Sequence, residues 1–99
     1  MIKFYRVATI ANGKIPGALA FAREVTAYLK DRHGIEVTIA MPVGGNPHRI
    51  GWSSSYENLG AMEAKQSAYM SDPKFMEMLG NSADLFINGS VHDEVWKIL

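Results

Sequence analysis

The sequence predicts an α+β protein with the element order β-α-β-β-α-β, and three observations carry that expectation. A strand whose alternate residues are His48, Ile50 and Trp52 runs into a capped helix start at Ser54-Ser55-Tyr56-Glu57. The amphipathic helix that follows breaks at Ser71-Asp72-Pro73, restarts, and gives way to a last strand ending in Trp96-Lys97-Ile98-Leu99. A strand-helix-strand unit precedes both. The order is that of a split βαβ, or ferredoxin-like, plan: a four-stranded antiparallel sheet with helices on one face.

The first strand is expected from Ile2 to Ala11, where Phe4, Tyr5, Val7, Thr9 and Ile10 favour extended backbone. Asn12-Gly13-Lys14 is a turn, because Asn and Gly tolerate positive φ. Pro16 opens a helix that runs to His33 and buries a stripe of Phe21, Val25, Tyr28 and Leu29. Ala18 and Ala22 extend that stripe with little bulk, so the helix can lie close to a sheet. Arg23, Glu24, Lys30 and Asp31 then face water. Gly34 ends the helix after basic Arg32 and His33, which complement its dipole.

Ile35 to Val43 reads as the second strand, with Ile35, Val37, Ile39, Met41 and Val43 on one face. Gly44-Gly45-Asn46-Pro47 makes the hairpin loop and lacks the helix start and lysine of a phosphate loop. The third strand begins at His48, and Ser54-x-x-Glu57 caps the next helix, which uses Leu59, Met62, Gln66, Tyr69 and Met70. Pro73 stops it and starts a second helical piece, capped by Ser71 or Asp72 and packed through Phe75, Met76, Met78 and Leu79. Gly80-Asn81-Ser82 closes that piece, and the final strand takes in Val91 to Ile98.

Residues 1–99 form one domain, with 47% apolar residues and enough length for a single core. Ten basic and ten acidic residues balance, and the basic ones are scattered singly, which argues against a nucleic-acid partner. The absence of cysteine excludes disulfides, iron–sulfur clusters and thiolate catalysis, and fits a cytoplasmic protein. No apolar run approaches the roughly 18 residues of a membrane span, and charge interrupts Met1 to Arg6, unlike a signal peptide.

The strands do not show the clean alternation of a sheet solvated on one face. Two helices cover one face only, and the other would be bare over roughly 400 Å² in plan, close to the most a monomer exposes. Two such faces stacked about a two-fold axis would bury both, so a homodimer is expected.

From Trp52 through Leu59, at Asp72-Pro73-Lys74-Phe75 and at Glu94-Val95-Trp96-Lys97, the chain resembles the dimeric α/β-barrel superfamily. That superfamily includes NIPSNAP-type proteins, small antibiotic-biosynthesis monooxygenases and haem-degrading monooxygenases. The resemblance covers nearly the whole chain and is more specific for fold than for activity. The haem-degrading branch carries a helical histidine that binds iron. Here neither the Leu59–Met70 helix nor the piece from Pro73 to Leu79 contains one. The looser match to the quinone-forming branch implies cofactor-free oxygenation of an aromatic or polyketide-like compound, with no metal or other cofactor. The alternative is a non-catalytic module that binds a small apolar ligand or only assembles.

On that view His48 is the candidate general base and Trp52 an aromatic wall beside it. Against this stand a surface histidine at a strand start and a core tryptophan. Arg6, mid-strand, needs a partner if buried: Glu36, Glu94 or an anionic ligand. Asn12 is a rim donor to a substrate carbonyl or an ordinary turn residue. Tyr69 lines the pocket or packs on the sheet with its hydroxyl at the rim. Trp96 shares a strand face with His92 and Glu94, as a further substrate contact or a solvated or interfacial group. His92 and Glu94 are too few for a metal site, which takes three or four ligands.

Overall fold

A computed structural model describes all residues from Met1 to Leu99. Its elements are β1 (Ile2–Thr9), α1 (Ile15–His33), β2 (Thr38–Ala40), β3 (Arg49–Tyr56), α2 (Leu59–Met70), α3 (Pro73–Asn81), a short 3-10 helix (Ala83–Leu85) and β4 (His92–Lys97). The strands form one antiparallel sheet in the order β2-β3-β1-β4. This is the ferredoxin-like arrangement.

The pleat sorts the sheet's side chains. Ile2, Phe4, Arg6 and Ala8 of β1 lie level with Tyr56, Ser54, Trp52 and Ile50 of β3, on the helix-covered face. Lys3, Tyr5 and Val7 point the other way, alongside Trp96, Glu94 and His92 of β4. Under the helices, Ile10, Ala18, Ala22 and Ile50 form one buried cluster. Val25, Leu29, Ile35 and Phe75 form a second. Ala18 and Ala22 are fully buried, as expected of small residues that bring α1 onto the sheet.

Gly34 ends α1 in the left-handed conformation, with φ of 66°. The next N–H, that of Ile35, bonds back to the Leu29 carbonyl at 3.2 Å. Ile35 therefore completes the helix end and does not enter the sheet. The second strand is accordingly much shorter than Ile35–Val43. Pro42 has no N–H to give a ladder, and Val43 beyond it is fully exposed.

Three other boundaries move. Ser54, Ser55 and Tyr56 are the last residues of β3, held in register by Phe4, Lys3 and Ile2, and do not form a capping box. Asn58 caps α2 instead, its Oδ1 accepting from the Ala61 N–H at 2.8 Å. β3 starts at Arg49, leaving His48 in the preceding turn. β1 ends at Thr9, with Ile10 in an isolated bridge to Phe86. Asp72 caps α3 as expected, its Oδ1 accepting from the N–H groups of Lys74 and Phe75 at 3.0 and 3.4 Å.

Candidate functional site

Between the helices and the sheet lies a cavity of about 340 Å³. Its buried end is walled by Ala8, Val25, Leu29 and Phe75. It meets solvent along Ile87, Asn88, Gly89 and Val91, the exposed segment that leads into β4. The helices do not reach over β4, all of whose residues are exposed. Trp52 stacks edge-on against Phe86 with centroids 5.8 Å apart, and Phe86 meets Phe21 at 5.9 Å.

Few polar groups interrupt this apolar wall. The Trp52 indole Nε1 is buried and has no hydrogen-bond partner. An orphaned buried donor costs free energy unless something satisfies it, and an acceptor that reached it would be stabilised. The Ser54 hydroxyl donates to the Tyr56 hydroxyl oxygen at 3.1 Å. Tyr69 also lines the cavity, and burial raises its pKa above the ordinary phenol value. Arg6 is the one charged side chain on the wall. It is paired with Asp93, which sits opposite it on β4: Nε to Oδ1 at 2.7 Å and Nη2 to Oδ2 at 2.9 Å. These bonds raise the Arg6 pKa further, so the guanidinium is permanently charged.

The structure thus brings Arg6, Trp52 and Tyr69 around one cavity. His48 does not join them. It lies in the turn before β3, outside the cavity wall, with its N–H bound to the Asn46 side chain at 2.9 Å and its carbonyl accepting from Ile10 at 2.6 Å. Asn12 is in an exposed turn and also stands apart. Trp96 is on the opposite, bare face, 55% exposed, its Nε1 donating to Glu94 Oε1 at 2.8 Å. The Arg6 partner is neither Glu36, which meets Lys30 at 3.8 Å, nor Glu94, which binds His92 and Trp96 on the other face. No three His, Asp or Glu side chains converge on a point where they could hold a metal ion.

Tyr56 and Ser54 also line the cavity, from the end of β3 and not from the expected helix start. Continuing the Ile50–Trp52 alternation by four residues would have found them. A second cluster was also missed. Asp72 Oδ2 accepts the Tyr28 hydroxyl at 2.5 Å and lies 2.8 Å from His33 Nε2. It ties the end of α1 to the corner between α2 and α3, whose residues Tyr69, Phe75 and Leu79 wall the cavity.

No family model matches the chain, and no curated protein matches it. Solved structures do. A NIPSNAP domain protein from Burkholderia xenovorans superposes with a TM-score of 0.85 at 12% identity, over 100% of this chain and 95% of that one. The chain has the fold of that protein. A NIPSNAP family protein of unknown function from Agrobacterium tumefaciens gives 0.79 at 19% identity, over 99% of this chain and 87% of its own. A candidate antibiotic biosynthesis monooxygenase from Nitrosomonas europaea gives 0.75 at 13%, over 100% and 99%. Identities this low establish shared architecture and leave the activity open. No helix is long and apolar enough to cross a membrane.

Proposed function

We propose that this chain is a small-molecule-binding protein that holds an aromatic or polyketide-like compound in the cavity beneath its helices and oxygenates it without a cofactor. The observation that carries the proposal is the Trp52 indole N–H, buried without a partner in a mostly apolar wall. A flat ring system would replace the apolar lining's contact with water, and a ligand oxygen would satisfy the indole donor. In an anthrone, loss of a ring methylene proton to water turns the carbonyl oxygen into an oxyanion, and a fixed donor at that oxygen favours the step. The resulting carbanion reacts with dioxygen; one oxygen atom becomes the new quinone carbonyl and the other leaves as water. The similarity in fold to candidate antibiotic biosynthesis monooxygenases supports this chemistry. His48, outside the cavity, has no part in it.

A second reading, binding without turnover, is favoured by one feature: the cavity wall carries no histidine and no carboxylate to act as a base. Dioxygen consumption with an anthrone separates the two. Uptake matched by quinone formation, and lost in Trp52→Phe, supports oxygenation. Saturable binding with no uptake supports the second reading.

The protein is further proposed to act as a homodimer joined through the bare sheet face. That face has two unequal halves. Thr38, Ala40, Gly51 and Ser53 leave a trough over β2 and β3. Larger side chains, Tyr5, Val7 and Trp96, lie over β1 and β4 with His92 and Glu94 beside them. A two-fold axis parallel to the strands lays the larger side chains of each copy over the smaller ones of the other. An axis across the strands would set large side chains against large.

A further inference from the structure

We infer that Asp93 makes the cavity select uncharged ligands, by holding the charge of Arg6 closed against anions. The inference rests on the cavity being a binding site.

Arg6 is the only charged group on the wall and sits where the cavity approaches solvent, with its side chain 40% exposed. An unpaired guanidinium there, beside an apolar chamber, would attract any carboxylate, sulfonate or phosphate. Asp93 prevents that. The β1–β4 register sets it directly opposite Arg6, and its two oxygens take Nε and Nη2 in the planar forked geometry that suits arginine. A ligand anion would have to displace a partner already fixed on the neighbouring strand, and would then lie beside the released Asp93 carboxylate. A ligand cation finds no free carboxylate, since Asp93 is already taken by Arg6.

The remaining polar groups agree. Trp52 Nε1 is a neutral donor, and Ser54, Tyr56 and Tyr69 are neutral hydroxyls, with Tyr69 held protonated by burial. They recognise oxygen or nitrogen atoms of an uncharged molecule, such as a ketone, phenol or quinone. No other carboxylate substitutes for Asp93. Glu94, one residue on, points to the opposite face, where it binds His92 and Trp96.

Two dyes with the same rings test the point. N-phenylnaphthylamine is uncharged, and anilinonaphthalene sulfonate carries one negative charge; both brighten on entering an apolar site. The native protein is expected to bind the neutral dye and to discriminate against the sulfonate. Asp93→Asn leaves the Arg6 charge uncompensated, and sulfonate affinity is expected to rise about tenfold, the usual worth of one charge-assisted hydrogen bond, with the neutral dye unaffected. Adding Arg6→Gln to that variant removes the charge and should abolish the gain. Sulfonate binding that is equal in the native protein and in Asp93→Asn overturns the inference while the cavity remains a binding site. Leu79→Trp, which puts an indole into the cavity, should remove both signals. If both dye signals survive it, or neither dye binds at all, the binding site itself is lost, and the inference with it.

Discussion

The Tyr28 hydroxyl donates to Asp72 at 2.5 Å across 44 positions of sequence, and His33 reaches the same carboxylate oxygen. Asp72 also caps α3 through its other oxygen. One side chain therefore closes a helix start and pins that helix to the end of α1. Asp72→Asn keeps an acceptor for the cap but removes the charge. Asp72→Ala removes both. The melting temperature is expected to fall in both variants and further in the alanine. Equal melting of all three proteins would show that the cluster does not hold α3.

The same carboxylate gives a pH dependence with a definite sign. Hydrogen bonds from Tyr28, then from His33, hold the Asp72 pKa at about 2, below its ordinary 3.8. The unfolded chain thus binds the proton more readily than the folded one, and stability rises with pH in this window. The contribution is complete above pH 3.8 and is lost as pH falls towards 2. Tyr28 works in the opposite sense. Its bond to Asp72 raises the phenol pKa above 10.0, so its contribution is present below that pH and is lost as pH rises through the raised value. Urea unfolding between pH 5 and 2 should show a shallower loss of stability in Asp72→Asn than in the native protein.

Ile50 has 0% exposure and packs with Ile10, Ala18 and Ala22 between α1 and the sheet. Ile50→Ala is expected to cost about 2–5 kcal/mol, the range for a buried aliphatic truncation. Ile50→Val should cost about 0.5–1.5 kcal/mol. Denaturant midpoints measure both. A cost for alanine no greater than that for valine would mean that the site collapses and that the core is not centred there.

The proposed dimer depends on Trp96 and Gly51 of opposite copies. Gly51→Trp fills the trough, and Trp96→Lys removes the largest apolar side chain of the β4 half and adds charge. Either is expected to convert a species of twice the chain mass, seen by native mass spectrometry, to the monomer mass. A native protein that runs as a monomer would leave the bare face without that role.

Much of the fold was legible because hydrophobic period and helix punctuation agreed. The Ala18–Ala22–Val25–Leu29 stripe, Gly34 and Asp72-Pro73 each pointed to the element that formed. The second strand was overextended because Ile35, Val37, Ile39, Met41 and Val43 alternate without a fault. Alternation cannot reveal that the Ile35 N–H is already committed to the helix end, or that Pro42 has none to give. Ser54 and Glu57 matched a capping box by spacing alone, while Asn58 next to them did the capping.

The site was less legible, for a geometric reason. Arg6 was expected to need a partner, but whether Asp93 or Glu94 provides it turns on a one-residue register between β1 and β4. That register also sends Trp96 to the bare face, while the separate β1–β3 register puts Trp52 on the cavity side. His48 shares its parity with Trp52 but lies in the turn, so common parity did not place the two side chains together. The Tyr28–Asp72–His33 cluster joins positions 39 and 44 residues apart, beyond any local pattern.

The two tryptophans make the central claim directly measurable, since Trp52 lines the cavity and Trp96 stands on the opposite face. The measurement is a nitrogen–proton correlation spectrum of the two indole N–H groups, recorded without oxygen while anthrone is added. The expected result is a saturable shift of the Trp52 signal to the position of a hydrogen-bonded indole, with that of Trp96 unmoved. A shift of Trp96 alone, or of neither, would contradict the assignment of the cavity beneath the helices as the binding site.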